Sequence, residues 1–111
     1  MDISPDKLRF NVYVIELEKS VMKKRKFLAE NPNFDSSLPC YYVGMTALTP
    51  QERFRNHKSG HQSGRYVKEY GLRLVPELYE HLNPMTWDDA KKKEPELAEE
   101  LRSRGHGVWQ K

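Results

Sequence analysis

Three segments of the chain are rich in β-branched and aromatic residues, and this pattern predicts β-strands. They are Phe10 to Leu17 (FNVYVIEL), Cys40 to Met45 (CYYVGM) and Leu72 to Leu82 (LRLVPELYEHL). Pro76 lies inside the third segment and donates no backbone hydrogen bond, so this strand is predicted at an edge or with a bulge. The tail from His106 to Lys111 (HGVWQK) predicts either a further short strand or a Trp109 that packs on the sheet.

Polar segments with a helical period alternate with the strands. They are Ser20 to Glu30, Gln51 to Lys58, Arg65 to Tyr70, and a long segment from Thr86 to about Arg104. Thr49 and Pro50 supply an N-cap and a first-turn proline for the second of these helices. Pro95 lies inside the last one, directly after Glu94, and predicts a kink there or a division into two helices.

The element order β-α-β-α-α-β-α predicts a small α/β fold of the α+β kind. We expect a three-stranded, mixed or largely antiparallel sheet flanked by helices. At 111 residues the chain has room for one hydrophobic core, so residues 1–111 are predicted to form a single domain. Residues 18–38, between the first two strands, are predicted to be an inserted helix and loop.

Composition narrows the class of protein. The net charge of +3 and the pI of about 9.0 favour an anionic partner without proving one. Cys40 is the single cysteine, which excludes an intramolecular disulfide. The first residues (MDISPDKLRF) do not resemble a signal peptide, and no apolar run approaches the roughly 20 residues of a membrane span. These observations predict no membrane association and a cytoplasmic setting.

Five residues suggest phosphodiester chemistry. Tyr13 and Tyr42 lie in the first two predicted strands, and Arg53 and His57 lie one turn apart on the following helix. Tyrosine or histidine accepts a proton from water, and arginine matches the geometry of a phosphate that gains charge. A carboxylate such as Glu94 holds a divalent cation that activates water. Together these groups predict a phosphodiester-cleaving site.

Each of these residues also has a simpler interpretation. Tyr13 and Tyr42 fit half-buried sheet tyrosines, and Arg53 and His57 fit a solvated helix face. Glu94 is one acid among several in its segment, which favours an ordinary charged helix just as well. The neighbouring acids are Asp88, Asp89, Glu96, Glu99 and Glu100. The histidines and Cys40 lack paired spacing, so a zinc site is not expected.

The order of these pieces resembles the GIY-YIG nuclease domain. Asn11-Val12-Tyr13 stands where the family has GIY, and Tyr42-Val43-Gly44 stands where it has YIG. Arg53-Phe54-Arg55-Asn56-His57 matches the arginine with a histidine one turn later, and Glu94 followed by Leu97 and Ala98 matches the acidic helix. The resemblance extends from about Asn11 to Gly105.

The resemblance implies a metal-dependent endonuclease that acts on DNA. It implies that Glu94 binds one Mg²⁺ or Mn²⁺ and that Arg53 neutralises the scissile phosphate. Tyr13 or Tyr42 takes the proton from the attacking water, and the choice between them stays open. His57 orients a phosphate oxygen or assists proton transfer.

The chain departs from the family pattern at three places. Asn11 replaces the glycine of GIY, and residues 18–38 separate two strands that usually form a near hairpin. Gly105-His106-Gly107 stands where the family commonly has proline and asparagine. The insert is a candidate for substrate contacts, and a protein partner is a possible source of specificity.

Basic residues around these motifs are predicted to contact the DNA backbone. They are Lys23, Lys24, Lys26, Arg55, Lys58, Arg65 and Lys68. Two other functions stay open on the sequence. One is a non-catalytic nucleic-acid-binding module on the same fold, and the other is a protein-interaction domain anchored by Trp87 and Trp109.

Overall fold

The computed structural model describes residues 8–60 and 65–110, with four strands and four α-helices in this part of the chain. In order they are β1 (Asn11–Leu17), α1 (Arg25–Glu30), β2 (Cys40–Thr46), α2 (Pro50–Ser59), α3 (Arg65–Tyr70), β3 (Gly71–Leu74), α4 (Trp87–Ser103) and β4 (Gly107–Gln110). Short 3-10 helices cover Lys19–Lys23, Pro76–Leu78 and Glu80–Leu82. None of the helices found in the described ranges has the length and apolar character needed to cross a membrane.

The strands form one mixed sheet in the order β3-β1-β2-β4. β1 is antiparallel to both β2 and β3, and β2 is parallel to β4. The predicted α+β class is therefore confirmed, but the predicted count of three strands is too low. The fourth strand is the C-terminal tail, where Val108 packs in the core beside β2.

The third predicted strand is much shorter than the sequence pattern suggested. The prediction covered Leu72 to Leu82, whereas β3 ends at Leu74 and Pro76 begins a 3-10 helix. Proline fixes its own φ and has no N–H for a ladder bond, which favours a helical turn over a strand. The apolar residues that follow Pro76, such as Tyr79, are buried although they lie in turns and not in a strand.

The helix predicted from Ser20 to Glu30 is interrupted. A 3-10 helix (Lys19–Lys23) and α1 are separated by Lys24, whose backbone is extended with φ −84° and ψ 125°. Val21 and Phe27 are both fully buried, and the break allows each to reach the core. Leu28, the residue after Phe27 in α1, is 39% exposed.

α4 runs without division across Pro95, so of the two outcomes predicted there, a kink or a division, the division is wrong. Proline removes one backbone hydrogen bond, which destabilises a helix. The compensation is burial on both sides of it, since Ala90 precedes it and Leu97, Ala98 and Leu101 follow it in the core. Packing of this apolar stripe outweighs the local preference to break.

The helices are divided between the two faces of the sheet. Tyr13, Ile15 and Tyr42 point to one face, because side chains alternate along a strand and these positions are paired in register. We call this the tyrosine face, and α1, α2 and α3 pack on it. Val14 and Val43 point to the opposite face, which is fully buried where α4 contacts β2 and β4.

Two asparagine side chains complete the exposed backbone of the sheet. β3 leaves the first half of β1 uncovered, and there the Asn83 amide donates to the Val12 carbonyl at 2.8 Å and accepts from its N–H at 2.9 Å. On the outer side of β4 the Asn31 amide donates to the Val108 carbonyl at 3.0 Å and accepts from the Val108 N–H at 2.8 Å. Each amide replaces a missing neighbouring peptide.

Candidate active site

The register of β1 and β2 brings the two candidate tyrosines together. Tyr13 lies opposite Gly44, Ile15 lies opposite Tyr42, and the two tyrosine rings are 6.1 Å apart between centroids. The Tyr13 ring crosses over Gly44, where a Cβ atom would lie 2.6 Å from the phenol oxygen. Gly44 is therefore required by the close approach of the Tyr13 ring to the backbone.

α2 begins with a complete capping box, which fixes its first turn next to the tyrosine pair. The Thr49 hydroxyl accepts from the Glu52 N–H at 3.1 Å, and the Glu52 carboxylate accepts from the Thr49 N–H at 3.0 Å. Asn11, at the glycine position of the first motif, donates to the Leu48 carbonyl at 2.9 Å and holds the preceding loop. Gly60 ends the helix in a left-handed conformation with φ +84°.

His57 does not lie on a solvated helix face. It is completely buried, and its Nε2 atom lies 2.9 Å from the Tyr13 hydroxyl. The Tyr42 ring meets the imidazole edge to face at 5.5 Å between centroids. The Nδ1 atom of His57 is buried without a hydrogen-bond partner among the described residues. A buried imidazole that faces two phenols and keeps one unsatisfied nitrogen is costly for stability alone.

Burial sets the protonation states of this cluster. Burial and, to a lesser extent, the nearby Arg53 charge together lower the pKa of His57 to about 4, so the imidazole is neutral near pH 7. Burial also raises the pKa of Tyr13, an effect that Tyr42 increases and Arg53 opposes. The pKa of Tyr42 is likewise raised by burial, with Tyr13 opposing this shift and Glu94 adding to it. The resting site therefore holds neutral phenols and a neutral imidazole.

Arg53 and Glu94 carry charges of opposite sign, and both act on the tyrosine pair. Arg53, half-buried on α2, acts on Tyr13 through its charge and a hydrogen bond. Glu94, half-buried on α4, acts on Tyr42 through its negative charge. Tyr13, Tyr42 and His57 thus contact one another on the tyrosine face, and the charges of Arg53 and Glu94 act on the two phenols. Within the described ranges no three His, Cys, Asp or Glu side chains form a ready-made metal cluster.

The basic residues predicted to contact DNA have different surroundings. The Lys58 ammonium donates to the carbonyls of Lys68 and Gly71 at 3.1 Å and 2.9 Å, which ties α2 to the end of α3. This structural role was not anticipated from the sequence. Lys23, Lys26, Arg55 and Lys68 are exposed and Lys24 is half-buried. The Arg65 side chain lies outside the described part of the structure.

The insert packs on the tyrosine face. A Cβ atom at Gly107 would lie 2.8 Å from the Phe27 ring of α1, and Gly107 is paired with Cys40 in the sheet. Cys40 is in turn paired with Leu17, at the far end of β1 from Tyr13. At about 3.3 Å per residue along a strand, this end of the sheet lies roughly 13 Å from Tyr13 and roughly 7 Å from Tyr42 on the same face.

The two tryptophans proposed as partner anchors differ in exposure. Trp87 is 48% exposed at the start of α4, with the Lys91 ammonium 4.7 Å from its ring centroid. Trp109 is half-buried, is paired with Tyr42 across the parallel strands, and packs against Tyr66 at 4.8 Å between centroids. Sequence reasoning missed the position of Trp109 beside the site, because the parallel pairing of β4 with β2 joins distant segments.

Comparisons with known proteins leave the site to be interpreted from its geometry. The chain matches no protein-family model, no curated protein and no solved structure.

Lowering the pH from about 6.5 to about 4 is expected to destabilise the fold through His57. The unfolded chain takes up a proton near pH 6.5, whereas the folded protein resists protonation down to about 4. The contribution of neutral His57 to the free energy of unfolding is therefore fully present above pH 6.5. It falls as the pH decreases, by up to about 3 kcal/mol. Urea unfolding at a series of pH values measures this slope. His57→Gln is expected to flatten it, and an equal slope in that variant would contradict the assignment.

Proposed function

We propose that this protein is a metal-dependent endonuclease that hydrolyses DNA phosphodiester bonds, with a site of the GIY-YIG type. The buried Tyr13–His57 hydrogen bond against Tyr42 is the observation that carries the proposal. The buried His57 Nδ1 atom has no hydrogen-bond partner among the described residues, and the pKa values of Tyr13 and His57 are shifted. Shifted pKa values of this kind cluster at functional sites. Arg53 and Glu94 add the cationic and anionic groups that phosphodiester hydrolysis requires.

Tyr13 is the better placed of the two tyrosines to take a proton from the attacking water. A phenol with a raised pKa is rarely ionised, so it needs a group that removes its own proton. The neutral His57 Nε2, 2.9 Å away, accepts that proton as the Tyr13 oxygen receives one from water. A bound phosphate raises the proton affinity of His57, since its negative charge stabilises the imidazolium. Tyr42 packs beside the Tyr13 ring, at 6.1 Å between centroids, and so restricts its orientation.

Arg53 supplies positive charge where the scissile phosphate gains negative charge. Its planar guanidinium matches the geometry of phosphate oxygens and is always protonated. Because its charge already acts on Tyr13, the guanidinium lies close to the phenol proposed as general base. Arg53 therefore stabilises the transition state and holds the phosphate near the general base.

Glu94 fits the role of a metal-binding carboxylate. Mg²⁺ needs only one or two protein carboxylates when water and substrate phosphates supply its other ligands. A single half-buried carboxylate that acts on Tyr42 is consistent with this donor set. When bound, Mg²⁺ or Mn²⁺ supplies Lewis-acid stabilisation of the phosphate. The unpaired, fully buried Cys40 agrees with the cytoplasmic setting that belongs to this proposal.

Plasmid cleavage tests the proposal directly. Supercoiled DNA incubated with the protein and Mg²⁺ or Mn²⁺ is expected to become nicked and linear, whereas the same mixture with EDTA stays supercoiled. Absence of cleavage with both ions across neutral and alkaline pH would refute the endonuclease. Cleavage of equal rate in EDTA would refute its dependence on metal.

The exposed basic residues of the insert favour a second candidate, a non-catalytic nucleic-acid-binding module. Replacing Lys23, Lys24 and Lys26 with glutamine is expected to reduce the slope of log affinity against log salt by up to about 2.7, since each phosphate contact contributes about 0.9. Single-turnover cleavage at saturating DNA should stay near wild type if the insert only binds. Arg73→Gln with Arg104→Gln is the control, because both are exposed residues in ion pairs.

The outcome separates the two functions. Salt-sensitive binding with no cleavage by the unmodified protein would favour the binding module. An unchanged slope and intact affinity in the lysine variant would mean that the insert faces away from DNA.

A further inference from the structure

Trp109 extends the tyrosine face beyond the catalytic cluster. It is paired with Tyr42 in the parallel ladder, so both side chains project from the same face of neighbouring strands, which lie about 4.8 Å apart. β4 is the outermost strand on this side of the sheet. From β1 to β4, the aromatic side chains on this face are therefore Tyr13, Tyr42 and Trp109. The Trp109 side chain is half-buried, so part of its surface is accessible.

The Trp109 ring is supported from one side. Tyr66 of α3 lies 4.8 Å from it between centroids at an interplanar angle of 56°, and Tyr66 itself meets Tyr70 at 6.2 Å. Tyr66 is only 9% exposed and so is fixed in the core. A large aromatic ring that is already held in place loses little conformational entropy when a ligand stacks on it.

We propose that Trp109 stacks on an unpaired nucleobase next to the phosphate held by Arg53. This inference rests on the proposed endonuclease function and names its substrate class, DNA that is single-stranded or splayed at the cut. Bases inside a duplex already stack on both faces, so only an unpaired base offers a free face to a side chain. Aromatic stacking tolerates any base.

Basic side chains border the elements that pack on this face. Lys68 is exposed on α3 with its ammonium beside Gly60 at the end of α2, and the lysines of the insert belong to the segment whose Phe27 packs on the same face of the sheet. Basic side chains combined with an exposed aromatic ring are typical of proteins that bind single strands. Trp87, in contrast, is exposed on α4 with its ring already covered by Lys91.

Tryptophan fluorescence tests the stacking without any need for cleavage. The chain has two tryptophans, so a Trp87→Phe variant leaves Trp109 as the only one. This variant is titrated in EDTA with a single-stranded oligonucleotide and with an abasic chain of the same length. Quenching by the base-bearing strand alone is the expected result. Equal quenching by both strands, or none by either, would overturn the proposal.

Affinity measurements on variants provide a second arm. Trp109→Leu keeps an apolar side chain but loses the flat ring, and it is expected to weaken binding of the base-bearing strand roughly 5- to 150-fold. Trp109→Phe should retain most of the affinity, and neither change should alter binding of the abasic strand. Trp87→Leu is the matched control and should bind like wild type. Equal losses for both strands would assign Trp109 a structural role.

The two hypotheses fail in different ways. If the unmodified protein cleaves DNA but shows no base-dependent quenching, the stacking site is wrong and the endonuclease stands. If base-dependent quenching occurs without cleavage, the endonuclease is wrong and the stacking site stands. With both intact, wild type should prefer a forked substrate over its fully paired counterpart, and Trp109→Leu should lose that preference.

Discussion

Glu94→Gln is expected to abolish DNA cleavage while leaving the fold and DNA binding nearly intact. The substitution removes the negative charge at the position proposed to hold the metal ion, yet it conserves the size of a half-buried side chain. Lewis-acid stabilisation of a transition state is worth several kcal/mol, so the rate should fall by about 1,000-fold or more. Single-turnover cleavage under saturating Mn²⁺ measures this effect.

A neighbouring acid on the same helix provides the control. Glu96 is exposed and forms an ion pair with Lys93 at 3.1 Å, and Glu96→Gln should cleave like wild type. Urea unfolding and binding in EDTA should give matching values for both variants. If Glu94→Gln cleaves at the wild-type rate, the carboxylate has no part in the chemistry and Glu94 belongs to the ordinary charges of α4.

Arg53→Ala is expected to lower the cleavage rate about 100- to 1,000-fold, the usual loss for one preorganised donor to a developing charge. The affinity for DNA should fall much less, because the guanidinium contributes most where the phosphate gains charge. The comparison requires single-turnover rates at saturating DNA together with separate binding curves in EDTA. Arg53→Lys should recover only part of the rate, since an ammonium keeps the charge but lacks the planar pair of donors.

Arg55 is the matched control for this experiment, because it is exposed on the same helix two residues further along. Arg55→Ala should weaken binding slightly in low salt and leave the saturated rate unchanged. Equal loss of rate and affinity in Arg53→Ala would instead make Arg53 a simple backbone contact. Loss of stability in Arg53→Ala alone would point to its interaction with Tyr13 as mainly structural.

The parts of the fold that were predictable from sequence are those specified by local chemistry. Thr49 and Pro50 predict the start of α2 because capping depends on adjacent residues, and the observed capping box confirms it. The first two strands follow from their β-branched and aromatic residues. The resemblance led us to expect Tyr13 and Tyr42 near Arg53, and the register of β1 and β2 places them together.

The remaining features depend on contacts between distant segments. Whether Pro95 divides a helix depends on the core contacts of Ala90 and Leu97 on either side of it. The full burial of His57 depends on how α2 packs on the sheet, and nothing in its neighbouring polar residues indicates it. The position of Trp109 beside Tyr42 requires the parallel pairing of β4 with β2, which residue patterns do not encode.

The two asparagines that bond to the edges of the sheet, Asn31 and Asn83, are resistant to spontaneous deamidation. An asparagine deamidates when the backbone nitrogen of the following residue attacks its side-chain amide, and the resulting aspartate no longer donates a hydrogen bond. Asn31 is followed by Pro32 and Asn83 by Pro84, and the proline nitrogen carries no hydrogen. Both amides are thus protected from the main route of spontaneous deamidation, and stored protein should keep the ends of its sheet closed.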